Sequence, residues 1–163
     1  MQSPAPPRLS YAYPPSQGFT LVEILVAFTI VAALLAIAVP AYNSYRDQQK
    51  VNTAVSDMRN LDIQIQGYKV SNDAYPAALS DIPMGSLTDP WGNPYQYLKI
   101  EGADIKGKGS MRKDKNLVPI NSDFDLYSMG ADGKSVAPLT SSQSKDDIVR
   151  ANDGRYFGLA SDY

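Results

Sequence analysis

From Phe19 to Ala41 the chain is apolar at nearly every position, and one charge, Glu23, breaks the run. As a helix rising about 1.5 Å per residue the run is roughly 35 Å long, enough to cross a bilayer core of about 30 Å. Pro40 stands near its end and predicts a kink or local opening there. Tyr42, Tyr45 and Arg46 follow as interfacial residues. Beyond them the pattern becomes amphipathic. Val51, Val55, Met58, Leu61, Ile65 and Tyr68 recur at helical spacing with polar residues between them. Gly67, Ser71, Asn72 and Asp73 then supply breakers. The pattern predicts one helix of about 50 residues, from Phe19 to near Ser71. Its first half is apolar all round and its second half carries a stripe, on which a globular domain must pack.

The flanking segments read differently. Residues 1–17 are rich in Pro and Ser, which predicts a leader or a disordered tail and no helix. After Tyr75, the Tyr75-Pro76, Ile82-Pro83 and Asp89-Pro90 pairs mark a loop-rich connection, and Trp91-Gly92-Asn93-Pro94 a turn. Tyr95 to Ile100 and Phe124 to Met129 are short strand candidates. Lys106 to Lys115 holds five basic residues and two glycines, and reads as a hairpin tip or solvated loop. Past Gly133 the chain is mostly Ser, Asp and Gly until Tyr156-Phe157-Gly158-Leu159. There are no internal repeats.

At 163 residues the chain holds one domain plus an anchor. A net charge of −2 argues against nucleic-acid binding, which calls for a basic patch or stripe. With no Cys, disulfides and thiolate sites are impossible. With no His, the commonest general base and metal ligand are missing. Any metal site would therefore use oxygen ligands, which suit calcium or magnesium. No nucleophile–base pair can be built with His or Cys. Gly102 to Gly109 lacks the spacing of a phosphate-binding loop. The residues predict no enzyme.

Glu23 is the anomaly. An acidic residue deep in a membrane helix costs about 2.5–3.5 kcal/mol on insertion scales. A plain signal anchor or signal peptide is the simple alternative, and Ala36-Ile37-Ala38 even offers a cleavage-like pattern. That reading gives Glu23 no purpose, and the run exceeds the usual 7–15 residues, roughly, of a signal peptide's apolar core. Gly18-Phe19-Thr20-Leu21-Val22-Glu23-Ile24, the apolar run and Pro40 together resemble the N-terminal signature of type IV pilins and type II secretion pseudopilins. The resemblance implies that a prepilin peptidase cuts between Gly18 and Phe19 and methylates the new N-terminus at Phe19. It also implies that Glu23 meets the α-amino group of a neighbouring Phe19 in the fibre. Opposite charges attract strongly in a dry bundle, and one left unpaired is expensive.

Two later segments, Asp89 to Tyr97 and Asp125 to Lys134, are similar to segments of the major pseudopilin of type II secretion. The similarity is weakest over Ile105 to Pro119 and after Gly133. Read from the residues alone, Trp91 to Tyr95 builds a turn that packs the sheet on the helix. Ser128 to Lys134 is a strand ending in a tight loop, with Gly130 and Gly133 permitting unusual backbone angles. The resemblance implies that this loop binds calcium through Asp132, the carbonyls of Met129 and Lys134, and Asp146 and Asp147 ahead of Ile148. The spacer from Asp132 to Asp146 is longer than the resemblance leads one to expect. The alternative is that Asp146 and Asp147 cap a short helix, Asp146 to Ala151. Asn152 to Phe157 departs from the major-pseudopilin pattern and reads as an added turn tying down the C-terminus, where Asp153 is a further possible ligand.

The expected fold class is α+β: a long N-terminal helix packed against a small antiparallel sheet. The segments are a cleaved leader (1–18), a transmembrane and assembly helix (19–41), its amphipathic continuation (42–72) and a globular head (73–163). The function implied is that of a structural subunit polymerising into a type II secretion pseudopilus. Its partners would be copies of itself, the prepilin peptidase, an inner-membrane assembly platform and minor pseudopilins. The resemblance places the chain in the bacterial inner membrane as a single pass with a periplasmic head, and the assembled fibre in the periplasm or outside the cell. Basic residues point the other way: the leader holds only Arg8, against Arg46, Lys50 and Arg59 beyond the run. Two alternatives stand: a type IV pilin of a surface fibre, and a non-polymerising membrane protein whose periplasmic domain binds calcium or a ligand.

Overall fold

The computed structural model describes residues 18–105, 107 and 109–163. The expected leader up to Gln17, and Lys106 and Lys108 of the basic stretch, lie outside the described residues. The chain divides into two compact units between Tyr42 and Asn43. One helix, α1 (Leu21–Asn72, 52 residues), contributes to both.

In the first unit nothing from Gly18 onward is buried, and the apolar side chains of α1 stand exposed, Leu21 and Ile37 at 82% and 75%. Such a surface is far larger than the scattered apolar residues of ordinary soluble proteins and calls for a partner or a lipid phase. The helix continues unbroken through Pro40, against the expected local opening. Proline withdraws a single donor from the ladder, and the turns on either side carry the helix past it.

The second unit is built on the amphipathic half of α1. Ala54, Met58, Leu61 and Ile65 are fully buried, and Val51, Val55 and Tyr68 pack beside them. Opposite lies a four-stranded sheet in the order β1 (Gln96–Lys99), β2 (Phe124–Ser128), β3 (Ile148–Ala151), β4 (Tyr156–Leu159), antiparallel throughout. The edge strands are half-buried, and β3 in the centre is buried at every residue. Alternation along the strands separates two cores. Phe124, Leu126 and Ile148 join the helix stripe. Val149 and Ala151 join Ile120, Leu139 and Ala160 in a second cluster. The long segment before β2 and the chain after β4 therefore form a further layer.

Strands β1 and β2 fall within the two expected segments. β3 replaces the alternative short helix over Asp146 to Ala151. Burial on both faces removes the period-two signature of a half-exposed strand, and the apolar pair Ile148-Val149 is too short to announce itself. Its identity comes from pairing: Ile148 to Ala151 lie opposite Leu159 to Tyr156, and Tyr127 and Ser128 flank the other side. The solvated-loop reading of Lys106 to Lys115 also needs correction, because Arg112 is 2% exposed.

Arg150 on β3 ties sheet to helix. Its guanidinium donates to both carboxylate oxygens of Asp123 (2.8 and 2.7 Å), to Asp62 on α1 (2.7 Å) and to the Phe124 carbonyl (3.1 Å). It also stacks over the Phe124 ring at 4.0 Å. Breaking a buried pair by deleting one partner costs several kcal/mol, because the other charge stays buried. Asp123→Ala is expected to destabilise the second unit by about 3 kcal/mol, read as a lower urea midpoint of the full chain in detergent micelles. An unchanged midpoint would contradict this role for Arg150.

Tyr95 donates to Asp57 on α1 at 3.1 Å, and Tyr97 to the Pro76 carbonyl at 3.0 Å. Burial, reinforced by nearby carboxylates, pushes both phenols well above their ordinary value. A group raised on folding stabilises below its unfolded pKa and loses that contribution as pH rises. Stability is therefore expected to fall above about pH 10, where unfolded phenols ionise. Tyr95→Phe should flatten that fall in an alkaline circular-dichroism titration, whereas an identical alkaline limb in the variant would contradict the assignment.

Candidate functional site

The first candidate is the start of α1. Thr20 precedes the helix, and its hydroxyl accepts a hydrogen bond from the Glu23 N–H at 3.2 Å, while its carbonyl accepts from Ile24 N–H at 3.2 Å. Thr20-Leu21-Val22-Glu23 is thus the Thr-x-x-Glu spacing of a helix N-cap, a signal legible in the sequence. It gives Glu23 a local role: an acidic residue in the first turn meets the positive end of the helix dipole. That interaction is worth about 0.3–1 kcal/mol, well short of the roughly 2.5–3.5 kcal/mol for an acid within a bilayer. Capping alone does not account for Glu23. Among the described residues no cation pairs with its carboxylate. Gly18 and Phe19 precede the helix and are exposed, Phe19 at 79%.

The second candidate is the loop region of the head, where the two similar segments meet. Asp89 is 4% exposed. One of its oxygens accepts from the N–H groups of Trp91 (3.0 Å) and Asn93 (2.8 Å), closing the turn. The other accepts from the Ser128 hydroxyl at 2.5 Å, at the end of β2. Asn93 in turn donates to the Gly130 carbonyl at 3.2 Å. These bonds clamp the Trp91 turn to the loop after β2. Trp91 itself packs on the helix core with Lys50 5.9 Å from its ring, as a structural turn residue would.

Of the five expected calcium-loop residues, Asp146 is bonded to the loop that carries Met129, Asp132 and Lys134, while the Asp147 carboxylate is held by Arg112 and Ser135. Met129 and Gly130 follow β2, with Gly130 at φ 65°. A Cβ there would stand 2.3 Å from the Asp146 carbonyl oxygen, so the close approach requires glycine. Asp146 places one oxygen on the N–H groups of Ala131 (2.9 Å) and Asp132 (3.1 Å). Asp132 accepts from Lys134 N–H at 2.8 Å, folding the loop on itself. Asp147, next in the chain, is fully buried in a different cluster, where it accepts from Arg112 and from the Ser135 hydroxyl, both at 2.5 Å. Asp153 is elsewhere again, accepting from Ser122 N–H (2.6 Å) and hydroxyl (3.0 Å). Burial raises the Asp153 carboxyl, but the Ser122 bonds, with Asp123 and Arg150 nearby, together hold the group below the ordinary range.

Calcium takes about 6–8 oxygen ligands converging at one centre. Among the described residues no three acidic side chains form such a group. Asp132 and Asp146 each give one oxygen to N–H donors and Asp147 gives one to a guanidinium, so as placed the three carboxylates do not converge on one centre. Arg112 is the buried cation of this region. It sits in a run of basic residues that reads as solvated, and its acid partner lies 35 positions away, so no local pattern signals the pair.

A family model described as the prokaryotic N-terminal methylation motif matches residues 14–39. The type II secretion system core protein G of Pseudomonas aeruginosa is 37% identical over 138 residues, covering 72% of this chain and 84% of that protein. Core protein G of Aeromonas hydrophila is 29% identical over 139 residues, covering 72% and 85%. The type IV major fimbrial protein FimA of Dichelobacter nodosus is 30% identical over 132 residues, covering 78% and 76%. No solved structure matches. The processing motif ahead of an exposed apolar helix, the α+β head and these relatives agree: the chain belongs to the pilin-like family of type II secretion core protein G and the type IV fimbrial proteins.

Proposed function

We propose that this chain is a structural subunit that polymerises into the pseudopilus of type II protein secretion. The observation that carries the reading is the first half of α1: fully exposed, apolar all round, and bearing one carboxylate, without a cation partner among the described residues, at a fixed offset from Gly18-Phe19. A bilayer satisfies the apolar surface before assembly, and helices of neighbouring subunits satisfy it afterwards. Only assembly satisfies Glu23. Cleavage between Gly18 and Phe19 creates an α-amino group, and the resemblance brings that group of one subunit against Glu23 of another. The pair would set axial register as subunits leave the membrane. A prepilin peptidase performs the cut and methylates Phe19; a separate assembly motor supplies the energy, and an inner-membrane platform and minor pseudopilins are the other partners.

In this reading the head faces the periplasm. The sparse basic charge of the leader, Arg8 alone, does not favour that orientation; the family relationship is what supports it. Similarity to FimA supports a second reading, a type IV surface fibre built by the same packing. Electron microscopy of cells overexpressing the chain with its assembly machinery separates the two by whether fibres stay short or extend from the surface.

Glu23→Ala is expected to leave membrane insertion intact and to reduce fibre yield by at least about tenfold, the consequence of losing roughly 1.4 kcal/mol or more per contact. Sheared-fibre yield at matched membrane levels checks it, and a wild-type yield from the variant would sink the pairing. Mass spectrometry of the wild-type chain should find a methylated Phe19 as its N-terminus, whereas an intact Met1 would favour a non-polymerising membrane protein.

A further inference from the structure

Among the buried charges of the head, Arg112 and Asp147 form a pair that neither the helix–sheet packing nor the assembly helix uses. The Arg112 guanidinium donates to Asp147 (2.5 Å), the Ser135 hydroxyl (2.5 Å) and the Val136 carbonyl (2.7 Å), and lies 4.2 Å from the Tyr127 ring on β2. Its own backbone N–H donates to Asp125 at 2.7 Å. Arg112 and Asp147 are 2% and 0% exposed.

We propose that Arg112 is the resident cation of this head, closing the C-terminal loop where the family resemblance assigns calcium, so that the chain folds without a divalent ion. A buried Asp147 without a positive partner would be costly. A guanidinium meets that need permanently, because arginine stays charged at any ordinary pH. Its fork of donors also does what a multidentate metal does: it draws together Arg112, the Ser135-Val136 segment and the approach to β3. A divalent ion on the same Asp147 oxygen would face the arginine's charge at contact distance, a strong repulsion in a buried place. The free oxygen of Asp147, which has no hydrogen bond, offers one ligand where calcium needs several.

The long spacer from Asp132 to Asp146 acquires a purpose in this account. It supplies Ser135 and Val136 to the guanidinium, and Ser144, whose hydroxyl accepts from the Val136 N–H (3.0 Å) and donates to its carbonyl (2.8 Å). Those bonds hold the Val136 carbonyl where Arg112 reaches it. The spacer residues therefore build an arginine cage.

The test uses the full chain in detergent micelles, melted with a chelator or with millimolar calcium chloride, alongside equilibrium dialysis with calcium. The wild type is expected to melt at the same temperature in both conditions and to show no saturable calcium binding. Arg112→Met is expected to melt roughly 10 °C lower, and Arg112→Lys, which keeps the charge but loses the fork, in between. A calcium-dependent rise in the wild-type melting temperature, stoichiometric calcium binding, or an Arg112→Met chain as stable as wild type would each overturn the proposal. Should Arg112→Met fail to fold, the wild-type calcium comparison alone still decides. Neither readout depends on fibre formation, so failure of the assembly reading would be recognised separately.

Discussion

Everything in this molecule follows from one helix that carries two kinds of apolar surface. The stripe of Ala54, Met58, Leu61 and Ile65 is covered by the chain's own sheet. The all-round surface from Phe19 to Ala41 is covered by nothing among the described residues. Burial of an apolar side chain is worth about 1.5–3 kcal/mol, so an exposed run of this length cannot remain in water. The head is therefore a folded domain attached to a segment whose proper surroundings lie outside the chain, first lipid and then other subunits. Polymerisation is the proposed consequence of that constraint, and in that reading Glu23 makes it specific: any apolar phase accepts the helix, but only a positioned cation accepts the carboxylate.

The head answers a different constraint. With neither Cys nor His, it cannot staple its loops with disulfides or zinc. Buried arginines take over the task. Arg150 binds Asp62 and Asp123 and so joins β3 to α1. Arg112 binds Asp147 and so joins the segment before β2 to the approach to β3. Asn121 links the two sets, donating to Asp125 at 2.9 Å and to the Arg150 carbonyl at 3.0 Å. Such ion pairs confer geometry more than net stability, since desolvation consumes much of their attraction. A regular fibre needs the same head shape on every subunit, and geometry is what it rewards.

How much of this could be read from the sequence depended on the range of the interactions. The helix was legible nearly to the residue, because periodicity is local and long runs leave little ambiguity: Phe19 to near Ser71 against Leu21–Asn72. The first two strands were legible for the same reason. β3 and β4 were not, since Ile148 to Ala151 is buried on both faces and shows no alternation. The Trp91 turn and the loop after Ser128 were visible as motifs, but the clamp between them through Asp89 is a contact across 39 positions. Arg112 was the plainest failure: surrounded by lysines and glycines it has the texture of solvent-exposed chain, and only the fold brings Asp147 and Ser135 around it. The Thr20 cap, by contrast, was legible and simply overshadowed by the cost of Glu23.

The central claim, that the cleaved N-terminus of one subunit neutralises Glu23 of another, is tested most directly by a near-atomic cryo-electron microscopy reconstruction of the assembled fibre. The account predicts that the Phe19 amino nitrogen of each subunit lies within salt-bridge reach of a neighbour's Glu23 carboxylate, in a core closed to water. A fibre in which Glu23 faces solvent, or pairs only within its own subunit, would contradict it.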